Sequence, residues 1–391
     1  MNLYCQSFLL ILILFSATGS CANAPFTDSG SDERLPVPKE TADFRVETVA
    51  TGLEVPWSIV FSPDGRMFFT ERPGRVRVME NGKLRSEPLH VFDDVELDSE
   101  TGLMGMAVHP KFSENHWLYF AYVHDSEDGK MVRVVRFRET GESLTDPKTI
   151  IDGIPASKFH AGTRLGFGPA DGKLYITTGD ATRQKRAQRL DSLNGKTLRL
   201  NDDGTVPEDN PFVGQKGARP EIWSYGHRNA QGMDWHPETG LMFQTEHGPS
   251  LIDGVSLFKK RTGGDEVNIV ERGKNYGWAK ISHLMEKEGM ETPLVEYSPA
   301  LAPASGMFYR GDKFPFYKNN FFFGALKGER IVRLVISGRK IVAQEYLLTG
   351  EYGRIREVAC GPDGLIYFST SNRDGRGKPA AEDDRIMRLV P

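Results

Sequence analysis

Residues 224–249 read SYGHRNAQGMDWHPETGLMFQTEHGP, from Ser224 to Pro249. A short apolar strand around Met233 and Trp235 is followed by a Pro-Glu-Thr-Gly turn at Pro237 to Gly240. A second strand then runs from Leu241 to Thr245. The pattern predicts two strands that carry polar tips to one end of a small sheet: Tyr225-Gly226-His227-Arg228-Asn229 on the first, Glu246-His247-Gly248-Pro249 on the second. Glycine lets backbone approach a ligand closely. Arg and Asn beside bared peptide groups suit an anionic or carbonyl-bearing ligand, with or without a metal. In isolation, an ordinary hairpin with polar ends has the same appearance.

Outward from this stretch, the same unit recurs. It is a strand, a Pro/Asp/Gly turn, a strand ending in small polar residues, a loop, and a strand of Arg/Val/Leu character. Copy one starts at Trp57 (WSIVFSPDGRMFFTE) and continues from Gly74. Copy two is GMAVHPKF from Gly105 with strands from Trp117 and Met131. Copy three is RLGFGPADGKLYITTGD from Arg164 with GKTLRL from Gly195. The stretch 224–249, continued by GGDEVNIV from Gly263, is copy four. Copy five is degenerate, SGMFYRG from Ser305 and NNFFFGALKGERIVRLVI from Asn319. Copy six is REVACGPDGLIYFSTSN from Arg356 with DRIMRLV from Asp384. Six nearly all-strand copies at irregular spacings of roughly fifty to seventy residues predict an all-β, six-bladed β-propeller. Asp43 to Thr51 predicts an N-terminal strand that completes the last blade and closes the ring. A pair of β-sandwiches is the competing architecture. The recurrence of one turn at one place in each unit favours the propeller.

The 391 residues, with net charge −4, carry no basic block, which argues against a nucleic-acid partner. The N-terminus carries targeting information rather than fold. FLLILILF at Phe8 to Phe15 is too short to span a bilayer but suits the apolar core of a signal peptide. The expected division is a signal peptide at 1–24, a flexible polar tether at 25–41 and the propeller at 42–391. The destination is export, periplasmic or secreted. Cys21, preceded by Gly19-Ser20, offers a second reading as a lipid-anchored residue. Of three cysteines, Cys5 and Cys21 fall in the signal region and Cys360 stands alone, so no intramolecular disulfide is expected.

A propeller brings distant strand tips to a common axis. Copy two brings Glu100; copy three brings His160 to Arg164 and Asp180. Copy four brings Arg228, Asn229, Gln231, Gly248 and Pro249. Copy five brings Lys327 to Arg330, and copy six Arg354 and Arg356. A His with a carboxylate is a general-base pair, and converging cations suit a carboxylate-bearing ligand. Each residue also has a plainer reading. Asp180 could cap a turn, Arg354 and Arg356 could form a solvated face, and His109, His160, His236 and His247 could be packing residues.

The motifs GLEVPWSIVFSPDG, GLMGMAVHPKF, HAGTRLGFGPADGKLYITTGD, EIWSYGHRNAQG, EHGP, GGDEVNIVERGKNYGW, ALKGERIVRL and GRIREV together resemble the glucose/sorbosone dehydrogenase family, over about Val46 to Leu389. The likeness is to its soluble aldose sugar dehydrogenases, which depend on pyrroloquinoline quinone (PQQ). The resemblance implies PQQ on the propeller axis, calcium, and oxidation of an aldose at C1 to a lactone. His160 matches the general base and Asp180 its carboxylate. Arg228 and Asn229 match residues beside the reactive quinone oxygen. Lys327, Arg354 and Arg356 match cations on the PQQ carboxylates. Gly248 and Pro249 match carbonyl ligands of the cofactor-bound calcium, and Glu266 and Tyr276 resemble a structural calcium site. The implied partners are an aldose and an external electron acceptor, with the protein a monomer or dimer.

Three departures stand out. Thr163 lies where relatives mostly have Gly. Glu100 replaces a Gln of some glucose-oxidising members. Ser250 to Thr262 is an insertion whose Leu251, Ile252, Leu257 and Phe258 could line a substrate entrance, form an acceptor dock or pack on themselves. A non-catalytic ligand-binding propeller and a calcium-dependent propeller lactonase are the alternative functions. The joint presence of His160, Arg228, Lys327, Arg354 and Arg356 weighs against the first; the second needs carboxylate and Asn ligands on the axis, which the cation cluster suits poorly.

Overall fold

The computed structural model describes residues 35–253 and 263–391. The expected signal segment, the Cys21 anchor, the first part of the tether and most of the 250–262 insertion lie outside the described residues.

Six antiparallel sheets follow one another along the chain. Blade 1 comprises Pro56–Phe61, Met67–Glu71, Arg75–Glu80 and Lys83–Leu84, with His90–Val91 also paired to its third strand. Blade 2 comprises Leu103–Val108, Trp117–Ser126, Gly129–Glu139 and Leu144–Pro155. Blade 3 comprises Leu165–Phe167, Leu174–Thr178, Lys196–Leu200 and Ile222–Tyr225. Blade 4 holds Ala230–Trp235, Met242–Glu246, Asp265–Val270 and Val295–Tyr297. Blade 5 holds Met307–Phe308, Phe321–Ala325, Arg330–Ser337 and Lys340–Leu347. Blade 6 takes Ile355–Cys360, Ile366–Thr370 and Ile386–Val390 from late in the chain, and Arg45–Ala50 from early in it. Arg45 pairs with Val390 and Thr48 with Met387, so the expected closing strand is present. The first strand of each blade touches the first strand of the next, and the sixth touches the first: the ring is closed. No helix among the described residues is long and apolar enough to cross a membrane.

The recurrent turn closes the hairpin between the first two strands of a blade. Ser62 N donates to Arg66 O (3.0 Å), Gly168 N to Lys173 O (2.9 Å), His236 N to Leu241 O (2.8 Å) and Gly361 N to Leu365 O (2.8 Å). Apolar residues alternating along these strands meet between blades. One cluster joins Ile59 and Phe69 of blade 1 to Phe322 of blade 5 and Phe368 and Met387 of blade 6. Another joins Ala107 and Tyr119 of blade 2 to Leu165 and Ile176 of blade 3. Such inter-blade layers are the cores that hold successive sheets face to face.

The axis itself is polar. Arg164 of blade 3 donates from Nη1 to Glu357 Oε2 of blade 6 (2.6 Å) and to Ser58 Oγ of blade 1 (3.2 Å), and from Nε to Gln231 O of blade 4 (3.0 Å). One buried guanidinium thus ties four blades. It separates two hollows. At the end carrying the hairpin turns lies a cavity of about 1100 Å³, bordered by Phe61, His109, Trp235 and Arg310. At the end carrying the polar tips lies a tight space of about 30 Å³ among Trp57, Glu100, Gly162, Gln231, Arg354 and Arg356.

Candidate active site

His160 lies on the loop that leads into blade 3, and Asp180 follows the second strand of that blade. The loop brings them together: His160 Nδ1 lies 2.7 Å from Asp180 Oδ1, and both side chains are buried. Asp180 is no mere turn cap. Its Oδ1 accepts the Thr182 amide (2.8 Å), and its Oδ2 accepts the indole N–H of Trp278 (2.8 Å). Such a partner set fixes the tautomer: with Nδ1 donating to Asp180, Nε2 is the nitrogen that can take a proton. The backbone pays for this arrangement. His160 (φ 55°), Ala181 (φ 51°) and Thr182 (φ 59°) all stand in the left-handed region. Thr163 has φ 152°, a conformation costly for a β-branched residue.

Glu100 reaches the same loop. One oxygen accepts the His160 amide and the other accepts Arg376 Nη1, each at 2.9 Å. Burial opposes its ionisation, but the charges of His160 and Arg376 outweigh burial and hold the carboxyl below its ordinary value.

Arg228 and Asn229 sit at the start of blade 4. The Arg228 amide donates to Glu246, whose other oxygen lies 2.9 Å from His227 Nδ1. Through its backbone carbonyl Arg228 receives the Asp180 amide (2.8 Å), so the base pair and the arginine share one scaffold. Its guanidinium is grasped by Asp253, from the start of the insertion, with Nη2 at 2.7 Å and Nε at 3.2 Å, and by Ser250 Oγ and His247 O. Asn229 is fully buried. Its Oδ1 accepts from Gln231, while its Nδ2 has no acceptor among the described residues.

Arg354 and Arg356 do not form a solvated face; they are buried and converge on Asp374. Arg354 approaches its Oδ2 with Nε at 2.9 Å and Nη2 at 2.8 Å, and Arg356 with Nη2 at 3.4 Å. Burial, with Arg354 and Arg72 nearby, pulls the Arg356 pKa down to about 10 despite Asp374. Arg72 lines the same space, and its buried Nε also lacks an acceptor among the described residues. Lys327 is placed differently. It is exposed on the turn after Phe321–Ala325, next to Leu326, whose carbonyl accepts Arg354 Nη1 (3.2 Å).

Gly248 and Pro249 follow the second strand of blade 4. The Gly248 amide donates to Asp265 Oδ1 (2.8 Å), and Asp265 Oδ2 accepts the amides of Leu301 and Ala302 (2.7 Å each). A Cβ at position 248 would run into the backbone of Gly263 and Gly264, so this crossing requires glycine. Pro249 O accepts Gly263 N (3.3 Å), so the insertion leaves and re-enters the blade at one pinch.

Glu266 lies deeper on blade 4, paired across the strands with Glu246 and Glu296. Burial first, then the Glu246 charge, pushes its carboxyl well above the ordinary range. Tyr276 stacks on His227, with centroids 4.6 Å apart. Its hydroxyl donates to Ile269 O (2.6 Å) and accepts the Glu271 amide (2.9 Å), which leaves its backbone rather than its phenol as what it offers a metal.

The arrangement is a buried His–Asp pair able to accept a proton, beside a buried arginine and near a space lined by more cations than carboxylates. The family model "Glucose / Sorbosone dehydrogenase" matches residues 53–381. The chain belongs to this family. Among family members, the aldose sugar dehydrogenase YliI of Escherichia coli K12 is 35% identical over 355 residues, covering 85% of this chain and 92% of that protein. The crystal structure of a putative oxidoreductase (glucose dehydrogenase) from Thermus thermophilus is 41% identical with TM-score 0.81, covering 89% of this chain and 100% of the other. The PQQ-bound aldose sugar dehydrogenase of Streptomyces coelicolor is 32% identical with TM-score 0.76, covering 90% and 99%.

Sequence reasoning singled out His160, Asp180, Arg228, Asn229, Arg354 and Arg356, and these gather at one end of the axis. It missed Asp253, Asp265 and Asp374, which organise them. Asp265 stands inside the quoted GGDEVNIV motif and Asp374 two residues beyond the sixth-copy strand. In the insertion, the apolar Leu251 and Ile252 drew attention away from the carboxylate beside them.

Proposed function

We propose that this protein is a PQQ- and calcium-dependent aldose sugar dehydrogenase that oxidises the C1 hydroxyl of an aldose to a lactone and passes electrons to an external acceptor. The observation that carries the proposal is the buried His160–Asp180 pair set beside Arg228 and a cleft with excess positive charge. The donor set fits the cofactor. A tricarboxylate quinone satisfies buried guanidinium and amide donors, and Arg72 Nε and Asn229 Nδ2 are buried donors in want of an acceptor. Arg354, Arg356, Lys327 and Asn229 would hold it, and the Gly248 and Pro249 carbonyls suit calcium, which takes several oxygen ligands. Glu266, a half-buried carboxylate among other carboxylates, is equally suited to a second calcium.

Bound there, PQQ supplies the two-electron acceptor for the C1 hydride, with calcium polarising it. The chain does the rest. His160 Nε2 accepts the proton of the C1 hydroxyl. Asp180 keeps the imidazole in the accepting tautomer and stabilises it once protonated. Arg228 provides preorganised positive charge, buried where its effect is not diluted by water. Loss of one proton and one hydride from the cyclic sugar leaves the lactone. The apolar run at Phe8 to Phe15 supports export.

The decisive experiment mixes the purified protein with PQQ and calcium and follows reduction of an artificial dye. Aldose-dependent reduction that needs PQQ is the expected result. PQQ binding without turnover of any aldose would favour a binding propeller, and lactone hydrolysis without PQQ would favour a hydrolase.

A further inference from the structure

The carboxylate of Asp253 is unaccounted for by the reaction as described. Its side chain is buried, and it stands on the stretch between EHGP and GGDE. Its Oδ2 accepts Arg228 Nη2 at 2.7 Å and Arg228 Nε at 3.2 Å, its Oδ1 also lies 3.2 Å from Nε, and it is further held by the Ser250 amide (2.7 Å). The Asp253 carbonyl accepts Gln184 Nε2 (2.6 Å), which fastens the turn to the loop after Asp180. One Asp253 oxygen, one Asp180 oxygen and one His160 ring nitrogen all lie within 4.8 Å of one another. Burial opposes the charge on Asp253, but Arg228 outweighs it and keeps the carboxyl below its ordinary value.

We propose that Asp253 is a positioning residue of the active site: it locks the Arg228 guanidinium in its working orientation and partly neutralises it. This rests on the dehydrogenase reading above. Arg228 has five N–H groups. Asp253 engages Nε and Nη2, Ser250 Oγ takes Nη2 at 3.0 Å, and His247 O takes Nη1 at 3.2 Å. What remains free is on Nη1, so the arginine can present a donor in one direction only. A planar bidentate grip of this kind fixes rotation as well as position. The same grip has a cost for cofactor capture, because a carboxylate on Arg228 offsets the attraction that a trianionic ligand would feel.

The two roles give opposite signs in one variant. Asp253→Asn should bind PQQ about three- to tenfold more tightly, measured by titrating the calcium-loaded apoprotein and following intrinsic fluorescence. The PQQ-saturated variant should nevertheless turn over an aldose at least about tenfold more slowly, with Asp253→Glu recovering part of the loss. In an Arg228→Lys background, Asp253→Asn should add little, since paired residues acting through one contact are not additive. Unchanged kcat in Asp253→Asn, or weaker PQQ binding together with slower turnover irrespective of residue 228, would overturn the proposal, the latter marking Asp253 as merely structural. A wild-type protein that binds PQQ but oxidises no aldose would instead overturn the dehydrogenase reading and this inference with it.

Discussion

At the scale of single residues, the site rests on groups whose ordinary behaviour is altered by what surrounds them. Asp180 occupies His160 Nδ1, at 2.7 Å, and in the proposed reaction this leaves the other nitrogen to act. His160→Asn should therefore lower kcat by about 10²–10⁴-fold, the usual worth of a positioned base. PQQ binding should stay close to wild type, which titration of the apoprotein checks. The cation pair makes a graded prediction. Arg354 and Arg356 are buried, and Lys327 is exposed at the rim. Alanine at either arginine should weaken PQQ binding by about 1.5–3 kcal/mol, the range for a hydrogen bond to a charged group. Lys327→Ala should cost visibly less, since an exposed ion pair is worth about 0–1 kcal/mol. Equal losses at all three positions would contradict this placement. Thr163 is the opposite case, a residue that its backbone does not favour. At φ 152° a β-branched side chain carries strain of about 1–3 kcal/mol. Thr163→Gly should leave Tm unchanged or raise it, even though the Thr163 hydroxyl donates to Ala161 O (3.1 Å). A drop of several degrees in a calorimetric scan would show that this hydrogen bond outweighs the strain.

At the scale of elements, blade 4 carries the greatest share of the candidate site; its polar tips were evident from sequence, and the carboxylates that hold them were not. Strand pairs, hairpin turns and the closing strand follow from alternation and from Pro/Asp/Gly turns, which are local signals. The His160–Asp180 and Arg228–Asn229 pairs were legible because the propeller brings repeat-equivalent tips together. Asp253, Asp265 and Asp374 were not, because their partners lie far off in sequence: Asp265 grips Leu301 and Ala302, and Asp374 grips Arg354 and Arg356 across a loop. No periodicity announces such contacts. The carboxylates stacked across blade 4, Glu246 beside Glu266 beside Glu296, also form a feature of the folded sheet alone. A cation bound among them stabilises only the folded state, by mass action. A chelator should lower the Tm of the wild-type protein, with calcium restoring it. Glu266→Ala should respond less, in both cases measured with the cofactor-site calcium absent. Equal sensitivity of the two proteins would remove the metal from blade 4.

At the scale of the whole molecule, the ring is held at its centre and at its seam. At the centre, burial outweighs the pull of Arg164 and raises the Glu357 carboxyl above its ordinary value. The sign follows from linkage. A group with a raised folded-state pKa contributes stability that is complete below the unfolded value, about 4.3, and is lost as pH rises through the folded value. Glu357→Gln should thus flatten the part of the Tm decline that begins above about pH 4.3; a variant whose Tm tracks the wild type across pH would place the titrating group elsewhere. At the seam, Arg45–Ala50 is bonded to Ile386–Val390. The partner of an early strand is therefore not synthesised until some 340 residues later. Until then blade 6 lacks a strand, and the nascent polypeptide cannot shut into a finished ring. The same joint puts two chain positions from early and late in the sequence side by side, so a peptide linker could join them and new ends be opened in a surface turn, such as Asn81-Gly82 between the last two strands of blade 1, without breaking a single strand.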